Sequence, residues 1–245
     1  MIKSTIFRGG AFLVIGGEDL IDQVFIGSTG SYYEFDATVA ERKDVKPKKK
    51  SIKETVPFSN VTHDFSAING EVYWEERSLE YVFELMADTV EELEEKKQRF
   101  VSWIMNVFQE ELHDPYIKGY HFIATFEDID IDDSEVEKST ITVAFSAYPY
   151  MLSDEKRFFA TGIGETETTL VVENNSSHRV TPTFKSDVDF TMKMGNSSFG
   201  IPAGETTDSK FMFAPGKTTI YLRAIPKEGE TVSGTLKIEF YEEVF

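Results

Sequence analysis

An acidic run in the middle of the chain has residue types that could bind a cation. Asp128, Asp130 and Asp132 follow the 1-3-5 spacing of an EF-hand calcium loop. The rest of that pattern is missing, because the sixth position holds Asp133 where glycine is required and the twelfth holds Ser139 where a bidentate glutamate belongs. The run also connects predicted strands instead of helices. We interpret it as a solvated hairpin tip, with weak surface Ca²⁺ binding as the alternative, and predict no dedicated metal site.

Other residues that could carry catalysis lack the necessary spacing. The four histidines are scattered without ligand spacing, and the adjacent His63 and Asp64 lie in a turn-like segment without a serine nucleophile motif. Cysteine is absent, which excludes a thiolate nucleophile and a cysteine-based zinc site. The glycine pairs match neither phosphate-binding pattern, and the 43 acidic residues offer no specific pair for glycoside cleavage. We expect no catalytic residues, no cofactor and no enzymatic activity.

The most distinctive charge feature is a basic segment (RKDVKPKKK) within acidic surroundings. A charged, proline-containing segment is a poor core element, so it is predicted to be an exposed loop or hairpin arm. A solvated loop is one interpretation. The other is an arm that docks onto the acidic surface of a neighbouring copy, because opposite charges on one molecule favour head-to-tail contacts. In that case the interface residues are Arg42, Lys43, Lys46, Lys48, Lys49, Lys50 and Lys53.

The net charge of −18 is concentrated in the first part of the chain. Residues 1–155 hold 31 acidic against 15 basic side chains, whereas residues 156–245 hold 12 against 10. A surface with this much negative charge repels phosphate, which disfavours ordinary binding of nucleic acid. The same charge suits a conduit through which DNA slides without binding, although solubility alone also explains it.

Composition favours a β-rich globular protein. The 245 residues suffice for one large or two ordinary domains, and 21 Phe and 10 Tyr suit pleated, half-buried surfaces. We see neither a secretory signal pattern nor an apolar run of about 20 residues, the length that crosses a bilayer. We therefore expect a soluble protein.

One helix is predicted over about residues 89–112. Asp88 and Glu91 have the spacing of a capping box, with Asp88 as the N-cap, and a proline follows the predicted end. Glutamates occupy the first turn and basic residues follow, as the helix dipole favours. The apolar face is formed by Val90, Leu93, Phe100, Val101, Ile104 and Phe108.

Strands are predicted around this helix. Tyr32–Val39 is predicted to be extended, and Val72–Met86 to be a long strand with a bulge near Ser78, where the alternation slips. After the helix, Gly119–Ile131 and Ser139–Tyr150 are predicted to form a hairpin from their alternation. The N-terminal part is therefore an α+β domain with one helix against a sheet.

From about residue 168 the pattern changes to short strands with turn signals about ten residues apart. Such spacing without helical periodicity predicts a β-sandwich of the jelly-roll kind. The boundary is predicted near residues 153–162, which gives domains of residues 1–155 and 156–245. The fold class is mostly β.

Several segments in this order resemble the phage distal tail protein family. In the N-terminal half these are Ile52–Leu85 (IKETVPFSNVTHDFSAINGEVYWEERSLEYVFEL), the helix, and Ala144–Leu152 (AFSAYPYML). In the C-terminal half, Val171–Phe184, the GIPAGE turn, FAPGKTTIYL and GTLKIEFYEE are similar to the galectin-like sandwich often appended in this family. Together these segments cover most of the chain.

The resemblance implies a structural function. Members of the family form a homo-hexameric ring at the far end of the tail tube, with a central channel for DNA and outward-projecting sandwiches. The implied partners are the tail tube protein, the tail-associated lysin or tail-fibre hub, and in some phages receptor-binding proteins; no membrane is involved. The implied location is the tail tip of the virion, after synthesis in the bacterial cytoplasm.

Two other functions stay open from the sequence. One is a carbohydrate-binding adhesion protein that uses the C-terminal sandwich, for which Tyr221, Phe211 and Phe213 are either binding or core residues. The other is a tail tube subunit, whose rings would stack into a tube.

Overall fold

A computed structural model describes residues 6–8, 11–13, 22–55, 58, 60, 62–66, 72–135, 137–226 and 231–245, the first two segments as backbone only. The chain folds into two compact units. The N-terminal unit comprises residues 1–151 together with Phe245, and the C-terminal unit comprises residues 152–244. Among the described residues, no helix combines the length and the apolar character that crossing a membrane requires.

The N-terminal unit is built on one antiparallel sheet with the strand order β4-β3-β9-β10-β11-β8-β5. Two hairpins, β1-β2 and β6-β7, are separate from it. The elements are Ile6–Arg8 (β1), Ala11–Leu13 (β2), Phe25–Ile26 (β3), Thr29–Gly30 (β4), Ser31–Phe35 (α1), Thr38–Val45 (β5), Lys53–Thr55 (β6), Thr62–Asp64 (β7), Arg77–Met86 (β8), Val90–Ile104 (α2), Glu110–His113 (β9), Tyr120–Asp132 (β10) and Lys138–Ala147 (β11).

The predicted hairpin is confirmed as β10 and β11, and its alternation decides which face is buried. Every second residue of β11 is buried, and β8 alternates in the same way beside it. The predicted bulge near Ser78 is wrong, because β8 pairs with β11 without interruption. The extra residues lie in the neighbouring strands, between Val39 and Glu41 in β5 and between Phe126 and Asp128 in β10.

Helix α2 begins one residue later than the cap prediction. Its N-cap is Thr89, whose hydroxyl accepts a hydrogen bond from Glu92 N at 3.2 Å. Leu93, Phe100 and Ile104 are buried against the sheet, as the periodicity predicts. Asp88 as the N-cap was therefore wrong, because Thr89 occupies the position from which a side-chain oxygen reaches the first turn.

The predicted C-terminal end of the helix is also wrong. The helix ends at Ile104, and Phe108 lies beyond it with 70% of its surface exposed. Gln109 takes a left-handed φ of 53° and donates its N–H to Thr125 Oγ1, after which the chain pairs with β10 as β9. Pairing with the sheet therefore outweighs the helical pattern of the sequence.

A second helix replaces part of a predicted strand. Ser31–Phe35 forms α1 where an extended segment was expected, and Asp36 ends it in the left-handed conformation. The Phe35 ring stacks on Trp103 with centroids 4.8 Å apart. This short helix is stabilised by contacts with α2, which are distant in sequence.

The C-terminal unit is an eight-stranded sandwich with two short flanking strands. Its elements are Met151–Ser153 (β12, which begins at the boundary), Arg157–Gly164 (β13), Thr168–Asn174 (β14), Thr183–Ser186 (β15), Phe190–Met194 (β16), Ser197–Ile201 (β17), Gly204–Thr207 (β18), Gly216–Ala224 (β19), Ser233–Phe240 (β20) and Glu243–Val244 (β21). The two sheets have the orders β13-β20-β15-β18 and β14-β19-β16-β17.

These strand pairs confirm the jelly-roll prediction. The first of the eight strands pairs with the last, the second with the seventh, the third with the sixth and the fourth with the fifth. This is one long antiparallel ribbon rolled into two sheets. Phe211 and Phe213 are buried in its core, whereas Tyr221 is 40% exposed on β19. The first two aromatic residues are therefore core residues.

The identity of the helix cap can be tested by substitution. We expect Thr89→Ala to lower the free energy of unfolding of the N-terminal unit by about 1 kcal/mol, because it removes the acceptor for Glu92 N. Asp88→Ala is the matched control, with an expected loss below about 0.5 kcal/mol. Urea unfolding followed by tryptophan fluorescence measures both, since Trp74 and Trp103 belong to this unit. A larger loss in Asp88→Ala would contradict the assignment.

Candidate oligomer interface

The segment of residues 46–76 between β5 and β8 is here called the arm, and its described residues are 46–55, 58, 60, 62–66 and 72–76. At its base Glu75 N donates to Lys48 O at 2.8 Å. Farther out Phe65 N donates to Ile52 O at 2.8 Å, and β6 then pairs with β7. The first part of the arm therefore pairs in succession with two segments of the returning chain, residues 73–75 and 62–65.

Aromatic side chains anchor the base of the arm. Trp74 pairs with Lys49 through an isolated β-bridge, and its ring meets that of Phe245 edge to face with centroids 4.8 Å apart. Phe245 in turn lies 4.8 Å from the ring of Tyr150, which is 6% exposed. The base is therefore packed, in contrast to the remainder of the arm.

The outer part of the arm is exposed and apolar in many positions. Every described residue of β6 and β7 is exposed, so this hairpin buries no core of its own. Contiguous exposed apolar surface marks interaction sites in soluble proteins. The large apolar side chains exposed on the arm are Ile52 (55%), Phe58 (fully exposed), Phe65 (40%), Val72 (43%) and Tyr73 (45%).

Two of the seven predicted interface residues lie in the sheet itself. Arg42 and Lys43 belong to β5, so the prediction of a loop or arm is wrong for them. The Lys43 ammonium pairs with Glu80 at 3.1 Å. Arg42 Nε donates to Asp114 Oδ2 at 2.9 Å and Nη1 lies 3.3 Å from Asp22 Oδ1. Both cations therefore already have partners within the chain.

The other five residues belong to the arm and divide into two groups. Lys46, at the start of the arm, pairs with Asp44 at 2.8 Å. The remaining four are exposed and form no ion pair with any residue that the structure describes. They are Lys48, Lys49, Lys50 and Lys53. The pKa of Asp64 on β7 is lowered mainly by hydrogen bonds from Ser66 and further by the charges of Lys53 and Lys49. Lys48 and Lys50 are therefore the best candidates for an intermolecular contact.

Arg42 also joins two distant parts of the sheet. Its partner Asp114 follows β9, is 3% exposed and accepts a second hydrogen bond from Tyr116 N at 3.0 Å. The guanidinium group lies 4.4 Å from the centre of the Tyr116 ring. Nearby, Val39 N of β5 donates to Asp22 O at 2.7 Å, just before β3. The sheet is therefore rolled so that β5 meets the segment leading into β3, and the arm starts from a fixed strand.

Tyr81 completes this buried group. Burial is the main cause that raises the pKa of its phenol well above the usual value, and the adjacent carboxylate of Asp114, with which Tyr81 shares a hydrogen bond, raises it further. The folded state therefore keeps Tyr81 protonated at a pH where a free tyrosine is ionised.

The acidic residues of the predicted hairpin tip lie along a strand. The extra residue of β10 is Glu127, and after it Asp128, Asp130 and Asp132 stand opposite Ala144, Thr142 and Thr140. All three aspartates are exposed, and within the described part of the chain none forms an ion pair. The bulge absorbs Glu127, so the alternation of faces resumes at Asp128 with the three aspartates on the solvent side. This bulge was not predicted from the sequence.

The tip beyond these aspartates is attached to α2. Asp133 accepts from Lys97 Nζ at 2.7 Å and from Ser139 Oγ at 2.6 Å. The hydrogen bond from Lys97 is the main cause that lowers the pKa of Asp133. The row of Asp128, Asp130 and Asp132, here called the acidic row, is therefore held on a fixed support.

The arm and the acidic row occupy different places on the sheet. The arm starts beside Arg77 at one end of β8, whereas the row stands, across β11, level with Glu80 to Glu84. At about 3.3 Å per residue, the row therefore begins roughly 10 Å along β8 from Arg77 and extends toward the hairpin tip. The charges of opposite sign are thus presented on two different surfaces of the unit.

A known structure shares this architecture. The crystal structure of the SPP1 Dit (gp 19.1) protein, described as a paradigm of the hub adsorption apparatus in phages that infect Gram-positive bacteria, matches with a TM-score of 0.63. The match covers 91% of this chain and 99% of the Dit chain at 14% sequence identity. The chain has the Dit fold. The fold implied by the resemblance to phage distal tail proteins, and the mostly β fold class, are therefore confirmed.

A second solved structure resembles the chain only weakly. The phage P2 baseplate in its activated conformation with Ca covers 89% of this chain, but its TM-score of 0.38 and identity of 9% are too low for an argument. No protein-family profile matches the chain, and no curated protein is similar to it in sequence. At this identity the likeness to Dit concerns the fold alone.

Protonation of Tyr81 predicts an alkaline limit to the stability of this Dit fold. Above pH about 10 the unfolded chain releases the phenol proton and the folded chain retains it, so the free energy of unfolding falls as the pH rises. We expect Tyr81→Phe to reduce that decline, measured by urea unfolding between pH 9 and pH 11. Tyr73→Phe, on the exposed arm, is the control and should keep the original slope. An equal decline in both variants would contradict the prediction.

Proposed function

We propose that this chain is a structural, non-catalytic subunit of a phage tail hub. In this proposal six copies form a ring that joins the tail tube to the tail-tip or baseplate hub, and the ring surrounds a channel for DNA. The Dit fold, which extends over 91% of the chain, supports the tail-hub assignment. The observation that carries ring formation is the arm, which exposes large apolar side chains together with Lys48 and Lys50, two lysines that form no ion pair with any described residue.

The acidic row is the proposed receptor for the arm of the next copy. Lys48 and Lys50 alternate along an extended strand with the same two-residue repeat as the aspartates of the row, so both sets of charges are spaced by roughly 7 Å. Facing charges at matched spacing set the register of a contact and speed the encounter. The apolar side chains of the arm then supply the buried area.

Placement of the arm and the acidic row on two different surfaces supports a head-to-tail assembly. A contact between two different surfaces of one protein is heterologous, and it gives a ring if the rotation between copies closes and a filament if it does not. A tail tube subunit, whose rings would stack further, is the alternative within the same class of proteins. The ring is proposed to bind the tail tube protein on one side and the lysin or tail-fibre hub on the other, at the virion tail tip.

The charge of the chain supports a passage that does not retain DNA. With a net charge of −18, a ring of subunits repels phosphate at most surfaces, and no counterions are released on contact. We expect no retardation of double-stranded DNA in a gel shift at 50 mM salt and micromolar protein. Tight, salt-sensitive DNA binding would contradict this part of the proposal.

Charge reversal on each side of the contact tests the arm and the acidic row directly. We expect Lys48→Glu/Lys50→Glu and, separately, Asp130→Lys/Asp132→Lys to weaken assembly at least tenfold, because like charges then face each other. Mixing the two variants should restore alternating contacts, since each supplies the complement of the other. Light scattering, native mass spectrometry and negative-stain images measure the oligomer, for which a ring of six is expected from the unmodified chain.

The control for charge itself is Lys210→Glu/Lys217→Glu, on the sandwich. Both lysines are exposed to a similar degree and lie outside the proposed contact. This variant should assemble as the unmodified chain does. The proposal fails if the unmodified chain forms no ring with or without a tube partner. The assignment of the two surfaces fails if both reversals leave the ring intact or if their mixture does not restore it.

A further inference from the structure

The root of the arm contains one carboxylate oxygen shared by two cations. Asp44 Oδ2 lies 2.8 Å from Lys46 Nζ and 3.4 Å from Arg77 Nη1. Lys46 is the first residue of the arm, and Arg77 is the first residue of β8, where the arm ends. The shorter contact belongs to the lysine, whose side chain is 60% exposed. The arginine, which is fully buried, has the longer and weaker one.

The buried guanidinium group is therefore poorly satisfied. Two of its nitrogens, Nε and Nη2, are buried without a hydrogen-bond partner among the described residues. Its remaining neighbour is the ring of Phe122, whose centre lies 5.3 Å away. An arginine stays charged in a protein, and a buried charge is tolerated only when good hydrogen bonds replace those of water. The strongest available acceptor is Asp44, and Lys46 competes for it.

We propose that the root is an ion-pair exchange switch coupled to docking of the arm. When the arm meets the carboxylates of a neighbouring copy, Lys46 leaves Asp44 and pairs with the neighbour. Asp44 then turns toward Arg77 and forms a direct, short ion pair with it. Lys46 loses little by the exchange, because an exposed pair contributes little in either place, whereas the buried Arg77 gains a full partner.

This exchange makes the stiffness of the root depend on whether the arm is docked on a neighbouring copy. In the free subunit the Asp44–Arg77 contact is long, so it adds little to the backbone pairing of Asp44 with Leu79 and of Val45 with Ser78. After docking the shortened contact adds a side-chain tie between β5 and β8 where the arm starts. A first contact of the arm therefore stiffens the root and favours the remaining contacts. The proposal rests on the docking function above, but its central step can be measured in the subunit alone.

Replacing Lys46 mimics the docked state. In Lys46→Gln the carboxylate of Asp44 is left to Arg77 alone, so we expect hydrogen exchange at residues 44–45 and 77–78 to slow by about tenfold. The measurement uses the full chain, dilute enough that light scattering reports single subunits. Lys43→Gln is the matched control. Lys43 lies on β5 next to Asp44, is as exposed as Lys46 (61%) and pairs with Glu80 of β8 at 3.1 Å. It should leave exchange at the root unchanged.

A double-mutant cycle tests whether Arg77 forms the stronger ion pair with Asp44 once Lys46 is replaced. Arg77→Met should be more destabilising in the Lys46→Gln background than in the unmodified chain, because the Asp44–Arg77 pair is stronger there. If Arg77→Met does not fold, Arg77→Lys in both backgrounds makes the same comparison. Exchange at the root that is unchanged or faster in Lys46→Gln, or additive effects in the cycle, would overturn the proposal. Failure of ring formation would leave both results intact and would refute only the assembly function.

Discussion

The ion pair between Arg42 and Asp114 is the contact on which the N-terminal unit most depends. Its two members are separated by 72 residues, and the carboxylate is almost completely buried. Such a pair is weak support for net stability, yet removing one member leaves an uncompensated buried charge, which is strongly destabilising. The pair therefore specifies one way of rolling the sheet. It also fixes β5, and through it the starting point of the arm.

The same unit separates satisfied from unsatisfied charges. Near the rolled edge, the carboxylates and cations around Arg42 are paired, and the hairpin tip is held by Lys97 and Asp133. The arm and the acidic row, which are both exposed, carry charges of opposite sign that form no ion pair with described residues. Natural surfaces carry many single charges without consequence, but two opposite sets with the same strand repeat, on one rigid sheet, are suited to contacts between identical copies.

What could be predicted from the sequence was local. The alternation of β8 and β11 and the turn spacing of the sandwich are repeated patterns, so the sheet hairpin and the jelly roll were accessible. The cap was ambiguous because Asp88 and Thr89 both have capping side chains. The end of α2 and the position of Arg42 depended on partners far along the chain, in β10 and at Asp114, and no local pattern contains them. The arm was predicted from its composition, but which of its lysines are unpaired required the structure.

The extra residue at Glu127 has a consequence for how this surface can vary. Substitutions at the aspartates change the charge one position at a time, and loss of Glu127 would only remove the bulge, because Phe126 and Asp128 already pair with the adjacent residues Phe145 and Ala144. Loss of one residue within the row itself, between Asp128 and Asp132, would instead reverse the strand beyond it, so that apolar side chains face water and carboxylates face the core. Among relatives we therefore expect the residue at the bulge to be present or absent, but a constant number of residues between Asp128 and the tip.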